Sequence, residues 1–352
     1  MRDILRPNPN RVYLTFTFTP PTVDIRLLRW GPLCALLVAT ALAAGCSRSV
    51  RKVEVTRDKP AEIAELWQEP GDLASRDLFH GAGGAEALPA QTEFAFVAAD
   101  TTGYSPGFDV KDAKGIEWSV KTGPEAQSEV VSSRVLWAIG FHQPPTYYLP
   151  KWSLTGTVSG PQEPGRFRPS LKGQEVIGDW SWYENPFVGR REFGGLVVAN
   201  LILNNWDWKT SNNKLYRLAS PVEGVSRWFV VRDLGAALGK TKYPHVLKFF
   251  RLRGFGQGTR NNIVDFEEQG FIKGATAEKV EFDYRGIYRD VLNTVTPADV
   301  QWACSRLAKL TDKQWQDAFR AAGYSQDVAD RFIAKLKQKI AQGLALGASA
   351  AN

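Results

Sequence analysis

Asp207-Trp-Lys209-Thr-Ser-Asn212 places a carboxylate, an ammonium and an amide within six residues, at the end of a long apolar run. Trp228-Phe-Val-Val-Arg-Asp233-Leu234-Gly235 ends a β-prone run in a second carboxylate. Upstream, Trp118-Ser-Val-Lys121 closes a strand pattern, and Glu129 falls on the segment that follows. Acids, amides and amines of this kind suit positioning, proton transfer and neutralisation of charge. The Asp-x-Lys-x-x-Asn spacing arises by accident in a chain this long only about once in twenty-five times, so its structural context decides its meaning.

Groups so far apart in sequence need a scaffold to meet. Residues 92–121 carry strand chemistry: Thr92 to Val97 is aromatic and β-prone, Phe108 to Val110 is short and apolar, and Ile116 to Val120 alternates before Lys121. Asp100-Thr-Thr-Gly103-Tyr-Ser105-Pro-Gly107 and Asp112-Ala-Lys-Gly115 supply the turns, which predicts a three-stranded antiparallel unit. Pro124 and Glu125 start a helix over 125–137, because proline suits the first turn and an acid suits the positive end of the helix dipole. Glu129, Ser132, Ser133 and Leu136 share one narrow face of it, small enough to lie close to a sheet.

Residues 141–185 mix proline, glycine, aromatics and short β runs, and read as strands and a connector. Glu192 to Asn205 is apolar nearly all round, as in a buried helix. Lys214–Leu218 and Trp228–Val231 predict a hairpin. Amphipathic helices over 297–310, 312–322 and 326–342 follow, capped by Thr296, by Thr311 or Asp312, and by Ser325. Trp180 and Trp182 are expected in the core, as is Cys304.

The whole chain of 352 residues is 43% hydrophobic and 23% charged, which excludes disorder, collagen and coiled coil. Its net charge is +7; residues 1–45 hold five arginines against two aspartates, a net +3, so the rest carries +4. That excess is spread among acids, and no specific nucleic-acid partner is expected. Cys34, Cys46 and Cys304 with His80, His142 and His245 have no spacing that completes a zinc site. The apolar stretch from Gly31 to Gly45, preceded by Arg26 and Arg29, reads as an export signal. Ala43-Ala44-Gly45-Cys46 resembles a bacterial lipobox, which implies lipidation of Cys46 and a membrane-tethered protein of the cell envelope. Residues 1–45 are thus expected as leader and signal, and 46–71 as a tether.

The strand-end lysine, the helix glutamate, the Asp-x-Lys-x-x-Asn loop and the strand-end Asp-Leu-Gly occur in the order found in protein kinases. The chain resembles the wider kinase-like superfamily over roughly residues 92–340, with specific motifs between 118 and 235. This resemblance implies an α+β, bilobal fold: a small antiparallel β lobe with its connector over 72–185, a larger, mainly helical lobe over 186–346, and a tail at 347–352. It also implies ATP and Mg²⁺ as cofactors and an acceptor bearing a hydroxyl group, whether protein, lipid or sugar. Phosphoryl transfer asks mainly for positioning and charge neutralisation. Lys121, held by Glu129, would contact the nucleotide phosphates. Asp207 would orient the attacking hydroxyl and take its proton, while Lys209 neutralises the transferred group. Asn212 and Asp233 would hold Mg²⁺, and the Gly103, Ser105 and Gly107 loop would lie over the phosphates.

Some positions depart from the kinase pattern. Asn205 and Trp206 stand where kinases carry His or Tyr and then Arg, and no Ala-Pro-Glu follows Asp233, so control by a phosphorylated activation loop is not expected. Glu125 is an alternative to Glu129, and His80-Gly-Ala-Gly-Gly84 an alternative glycine loop. Lys248, Arg251, Arg253 and Arg260, interleaved with Phe249, Phe250 and Phe255, are expected to border the substrate cleft. A catalytically silent kinase-like protein that binds a ligand or partner in the envelope is the second functional expectation.

Overall fold

The computed structural model describes residues 62–101, 103–222, 224–241, 258–286 and 288–349, all within the compact unit Val53–Asn352. The leader, Cys46, Lys248, Arg251, Arg253 and the phenylalanines between them lie outside the described residues. Of the stretch read as a tether, residues 62–71 are described and packed: Leu66 is buried, and the Trp67 indole donates to the Ile139 carbonyl at 2.7 Å.

The three predicted strands form as β1 (Glu93–Asp100), β2 (Gly107–Lys111) and β3 (Glu117–Thr122). Asp112 tightens the β2–β3 turn by accepting from the backbone of Lys114 and Ile116, and Gly115 supplies the positive φ of 79° there. The sheet extends beyond this unit on both sides. The connector region adds β4 (Tyr147–Leu149), β5 (Trp152–Thr155), β6 (Gly160–Gln162) and β7 (Gly165–Pro169), in the order β4-β7-β3-β2-β1-β5-β6. Only the β1–β5 pair is parallel. Alternation sends Phe94, Val110, Trp118, Val120, Trp152 and Phe167 into an aromatic core of this sheet alone.

A second, larger core gathers the remaining elements. The first helix, α1 (Glu125–Ala138), is buried around almost its whole circumference, and its Val130, Val131, Val135 and Leu136 belong to this core. Strand β8 (Gln174–Asp179) pairs with β9 (Asn213–Val222), and β9 pairs with β10 (Val225–Val231). The apolar run becomes α2 (Arg191–Ile202), with every residue from Phe193 to Ile202 buried. Beyond it come α3 (Ile263–Glu268), a small β11–β12 pair (Ile272–Ala275, Val280–Phe282), α4 (Pro297–Leu307), α5 (Asp312–Ala321) and α6 (Gln326–Ser349). Thr296 and Thr311 form full capping boxes with Asp299 and Gln314.

Gly194 and Gly195 let α2 lie directly on α4: a Cβ on Gly195 would sit 2.2 Å from the Trp302 ring, and one on Gly194 2.5 Å from Asp299. Buried Lys339 of α6 reaches the last turn of α2, donating to the Ile202 carbonyl at 3.1 Å and to Asn204 Oδ1 at 2.6 Å. The Ile202 carbonyl is one of those that a helix end leaves without an intrahelical partner. Trp180, Trp182 and Cys304 are in the core, and burial pushes the Cys304 thiol up to about 12.

Candidate active site

Strand alternation positions the lysine. Trp118, Val120 and Thr122 are buried on one face of β3, so Ser119 and Lys121 project from the other. Gly123, with φ at +82°, and Pro124 then turn the chain straight into α1. One helical turn separates Glu125 from Glu129, and both face Lys121. The ammonium lies 3.4 Å from Glu125 Oε2, 3.1 Å from Glu129 Oε2 and 3.0 Å from Asp233 Oδ1. Burial disfavours its charge, but Glu129, Asp233 and Glu125 together more than offset that and raise its pKa.

Glu129 is fully buried, and two further cations hold it. Arg166 and Arg168 flank Phe167 on β7, opposite Lys121 and Ser119 of β3, so both guanidinium groups fall on the lysine's side of the sheet. Arg166 Nε is 3.0 Å from Glu129 Oε1, and Arg168 pairs with the same oxygen. Burial works against the Glu129 carboxylate, yet Arg166, Lys121 and Arg168 keep its pKa below the ordinary value. The cost shows on Arg166, which burial brings down to about 10 despite the attraction of Glu129. Asp233 is only partly buried; against that burial the Lys121 ammonium and the Gly235 backbone N–H at 3.2 Å hold it well below the usual carboxylate range.

On the other side of the cleft the Asp207 loop is pinned by its neighbours. After α2 the chain turns at Asn204, whose φ is +53°, and the Asn205 amide donates to Asn200 Oδ1 at 2.9 Å. Trp206 and Trp208 are both buried. The first donates to the Thr259 carbonyl at 2.8 Å, and the second stacks between Trp182 and Tyr284 with centroids at 5.3 and 5.0 Å. Asp207 therefore sits between two indole anchors. Lys209 Nζ reaches its Oδ2 at 2.9 Å, while Oδ1 is buried with no hydrogen-bond partner. The Asn212 amide donates to the Asp207 carbonyl at 2.7 Å, and the Asn212 carbonyl accepts from the backbone of Arg232 and Asp233 at 3.0 and 3.1 Å. These bonds join the two motifs into one unit.

The segment between β1 and β2 closes the cleft. Gly107 permits close passage, since a Cβ there would lie 3.1 Å from Asp100 Cβ and 3.2 Å from the Val120 carbonyl. Ser105 donates to Glu125 Oε2 at 2.9 Å. Exposed Tyr104 lies under the Arg260 guanidinium at 3.7 Å, and Arg260 pairs with Glu125 Oε1 at 2.5 Å. The resulting cleft, about 360 Å³, is lined by Gly103, Ser105, Gly107, Lys121, Asp207, Lys209, Asn212 and Asp233 together with Tyr104, Glu125 and Arg166.

Eight of the nine sequence-derived candidates for catalysis, nucleotide and metal thus line one cavity, and Glu129 lies beneath it against Lys121. Both glutamates contact the lysine, so Glu125 and Glu129 are partners rather than alternatives. The His80–Gly84 run lies elsewhere, against α1: the Gly84 carbonyl accepts from Tyr147 and Gly81 abuts Arg134. Sequence reasoning did not single out Arg166 and Arg168. The pattern Arg166-Phe-Arg168 in a β run was the available signal, because a buried Phe between them puts both arginines on the opposite face.

No protein-family model matches the chain, and no curated protein matches it. Among solved structures the chain is similar to the Helicobacter pylori proinflammatory kinase CtkA, with 14% sequence identity and a TM-score of 0.43, over 74% of this chain and 99% of that one.

Proposed function

We propose that this protein is a kinase-like phosphotransferase that moves a phosphoryl group from Mg-ATP to a hydroxyl-bearing acceptor. In this reading the seven-stranded sheet and α1 form a nucleotide lobe, the helical part forms the larger lobe, and the cleft between the motifs is the reaction site. One observation carries the reading: a lysine from β3 meets two glutamates of α1 and the aspartate of Asp-Leu-Gly within 3.4 Å, in a cavity also lined by Asp207, Lys209 and Asn212.

The donor set suits a hard cation. The Asn212 amide nitrogen is committed to the Asp207 carbonyl, which leaves its oxygen for the cleft, and Asp233 Oδ1 is committed to Lys121, which leaves Oδ2. Among the described residues no three His, Cys, Asp or Glu side chains form a metal cluster. One carboxylate and one amide oxygen, completed by phosphate oxygens, match the way Mg²⁺ is held in such sites. When bound, the metal would supply charge neutralisation on the phosphates. Lys121 would bind the phosphates, and Gly103, Ser105 and Gly107 would cover them. The acceptor oxygen forms its bond to phosphorus as the bond to the leaving nucleotide oxygen breaks, and the Asp207 carboxylate takes the hydroxyl proton. Lys209, paired with Asp207 Oδ2, balances the charge of the transferred group.

Titration calorimetry tests the binding half: Mg-ATP is expected to bind the wild type, and Asp233→Ala to lose at least tenfold in affinity. Equal heats for both would remove the metal assignment. Labelled phosphate is expected to enter an acceptor with the wild type and not with Asp207→Asn. A protein that binds Mg-ATP and performs its role unchanged in Asp207→Asn is the catalytically silent relative instead. We also propose attachment to an envelope membrane through lipidated Cys46. No helix among the described residues is long and apolar enough to cross a membrane.

A further inference from the structure

The floor of the cleft carries more negative charge than one lysine can balance. Glu125, Glu129 and Asp233 all lie within 3.4 Å of the Lys121 ammonium. With that ammonium as sole counterion the floor would keep two excess negative charges and repel a polyphosphate. Three arginines change the balance. Arg166 and Arg168 pair with Glu129 from β7, and Arg260 pairs with Glu125 from the segment after the Asp-Leu-Gly motif. Three carboxylates then face four cations.

The β7 pair also fixes where the charges stand. Arg166 donates to the Ser119 carbonyl at 2.8 Å, and Arg168 donates to the Arg232 carbonyl at 3.0 Å, one residue before Asp233. Arg168 therefore ties Glu129 of α1 to the backbone that carries Asp233. Both residues are nearly inaccessible, at 3% and 6% exposure, and only Arg166 reaches the cleft wall, so Arg168 acts through Glu129 and the field rather than by grasping a ligand.

We propose that Arg166 and Arg168 are positioning residues that neutralise the carboxylate floor, and that the cleft accepts a nucleotide polyphosphate because of them. The proposal rests on the phosphotransferase reading and adds two residues to it.

The experiment titrates adenosine, Mg-ADP and Mg-ATP into the wild-type chain, Arg168→Gln and Arg168→Lys. Arg168→Gln is expected to change adenosine affinity less than twofold and to weaken Mg-ATP at least tenfold, with Mg-ADP between them. Arg168→Lys keeps the charge and is expected to hold Mg-ATP within threefold of wild type. An equal loss for all three ligands, or an unchanged Mg-ATP affinity in Arg168→Gln, overturns the proposal. If Arg168→Gln does not fold, Arg168→Lys decides: a tenfold loss of Mg-ATP with adenosine retained there overturns it. A wild type that binds no Mg-ATP sinks the phosphotransferase reading itself, whereas one that binds it as well as Arg168→Gln does sinks only the arginine assignment.

Discussion

Glu129 has no exposure to solvent and three positive side chains around one carboxylate. Breaking such a buried cluster from one side is costly because it strands the remaining charges. Glu129→Gln is expected to lower stability by about 3–5 kcal/mol, measured by urea unfolding at neutral pH. The pH profile follows from the same residues. Glu129 and Asp233 have pKa values below their ordinary 4.5 and 3.8, so their contribution is complete above those values and is lost as pH falls through the lower folded ones. Lys121 is raised above 10.5, so its contribution is complete below that value and fades as pH rises further. Unfolding free energy is therefore expected to be highest between about pH 5 and 10 and to fall on acidification less steeply in Glu129→Gln than in wild type. Equal acid slopes for the two proteins would contradict the assignment. Lys121, Asp207, Asn212 and Asp233 were legible because short motifs fix their neighbours. Arg166 and Arg168 were not, since the Arg-Phe-Arg alternation shows that the two share a face but not that a buried glutamate lies across from it.

Secondary elements were read mainly where pattern and punctuation agree. Thr296-Pro297 and Thr311 mark helix starts that the capping boxes realise, and the apolar run before Asp207 forms α2, although it ends at Ile202 because Asn204 takes a left-handed conformation. The last helix runs to Ser349 rather than residue 342: it continues through Gly343, where a Cβ would lie 2.3 Å from Cys304 Sγ, and no proline stops it. Strands β4 to β7 were legible only as a mixed region. Their pairing depends on long-range partners, and β7 finds β3 across α1. The Gly194-Gly195 pair is a case where propensity and packing oppose each other. Alanine in a helix interior is favoured over glycine by about 1 kcal/mol, but a Cβ on Gly195 would collide with Trp302 of α4. Gly195→Ala is accordingly expected to destabilise by about 1–3 kcal/mol, the usual cost of overpacking, and to leave Mg-ATP affinity within twofold. A raised melting temperature would show that α2 and α4 separate more easily than their contact implies.

Two hydrophobic clusters organise the described part of the chain, one aromatic and confined to the seven-stranded sheet, the other spread over the helices and the remaining strands. The division into strands before helices was visible in composition alone, because β-branched and aromatic runs precede amphipathic ones. Where the strands close into one sheet was not, since β8 lies among the connector strands in sequence yet pairs with β9. The prediction at this scale concerns attachment: labelled palmitate is expected to enter the full chain and to be absent from Cys46→Ser, and incorporation that survives the substitution would remove the lipobox assignment.

Glu125 answers to three partners at once: Lys121 below it, Ser105 of the covering segment and Arg260 from beyond the Asp-Leu-Gly motif. An arriving polyanion that draws Lys121 toward itself frees the Glu125 carboxylate to commit fully to the other two. Occupancy would then tighten the clasp over the entrance rather than pry it apart, and slow the release of what the cleft holds.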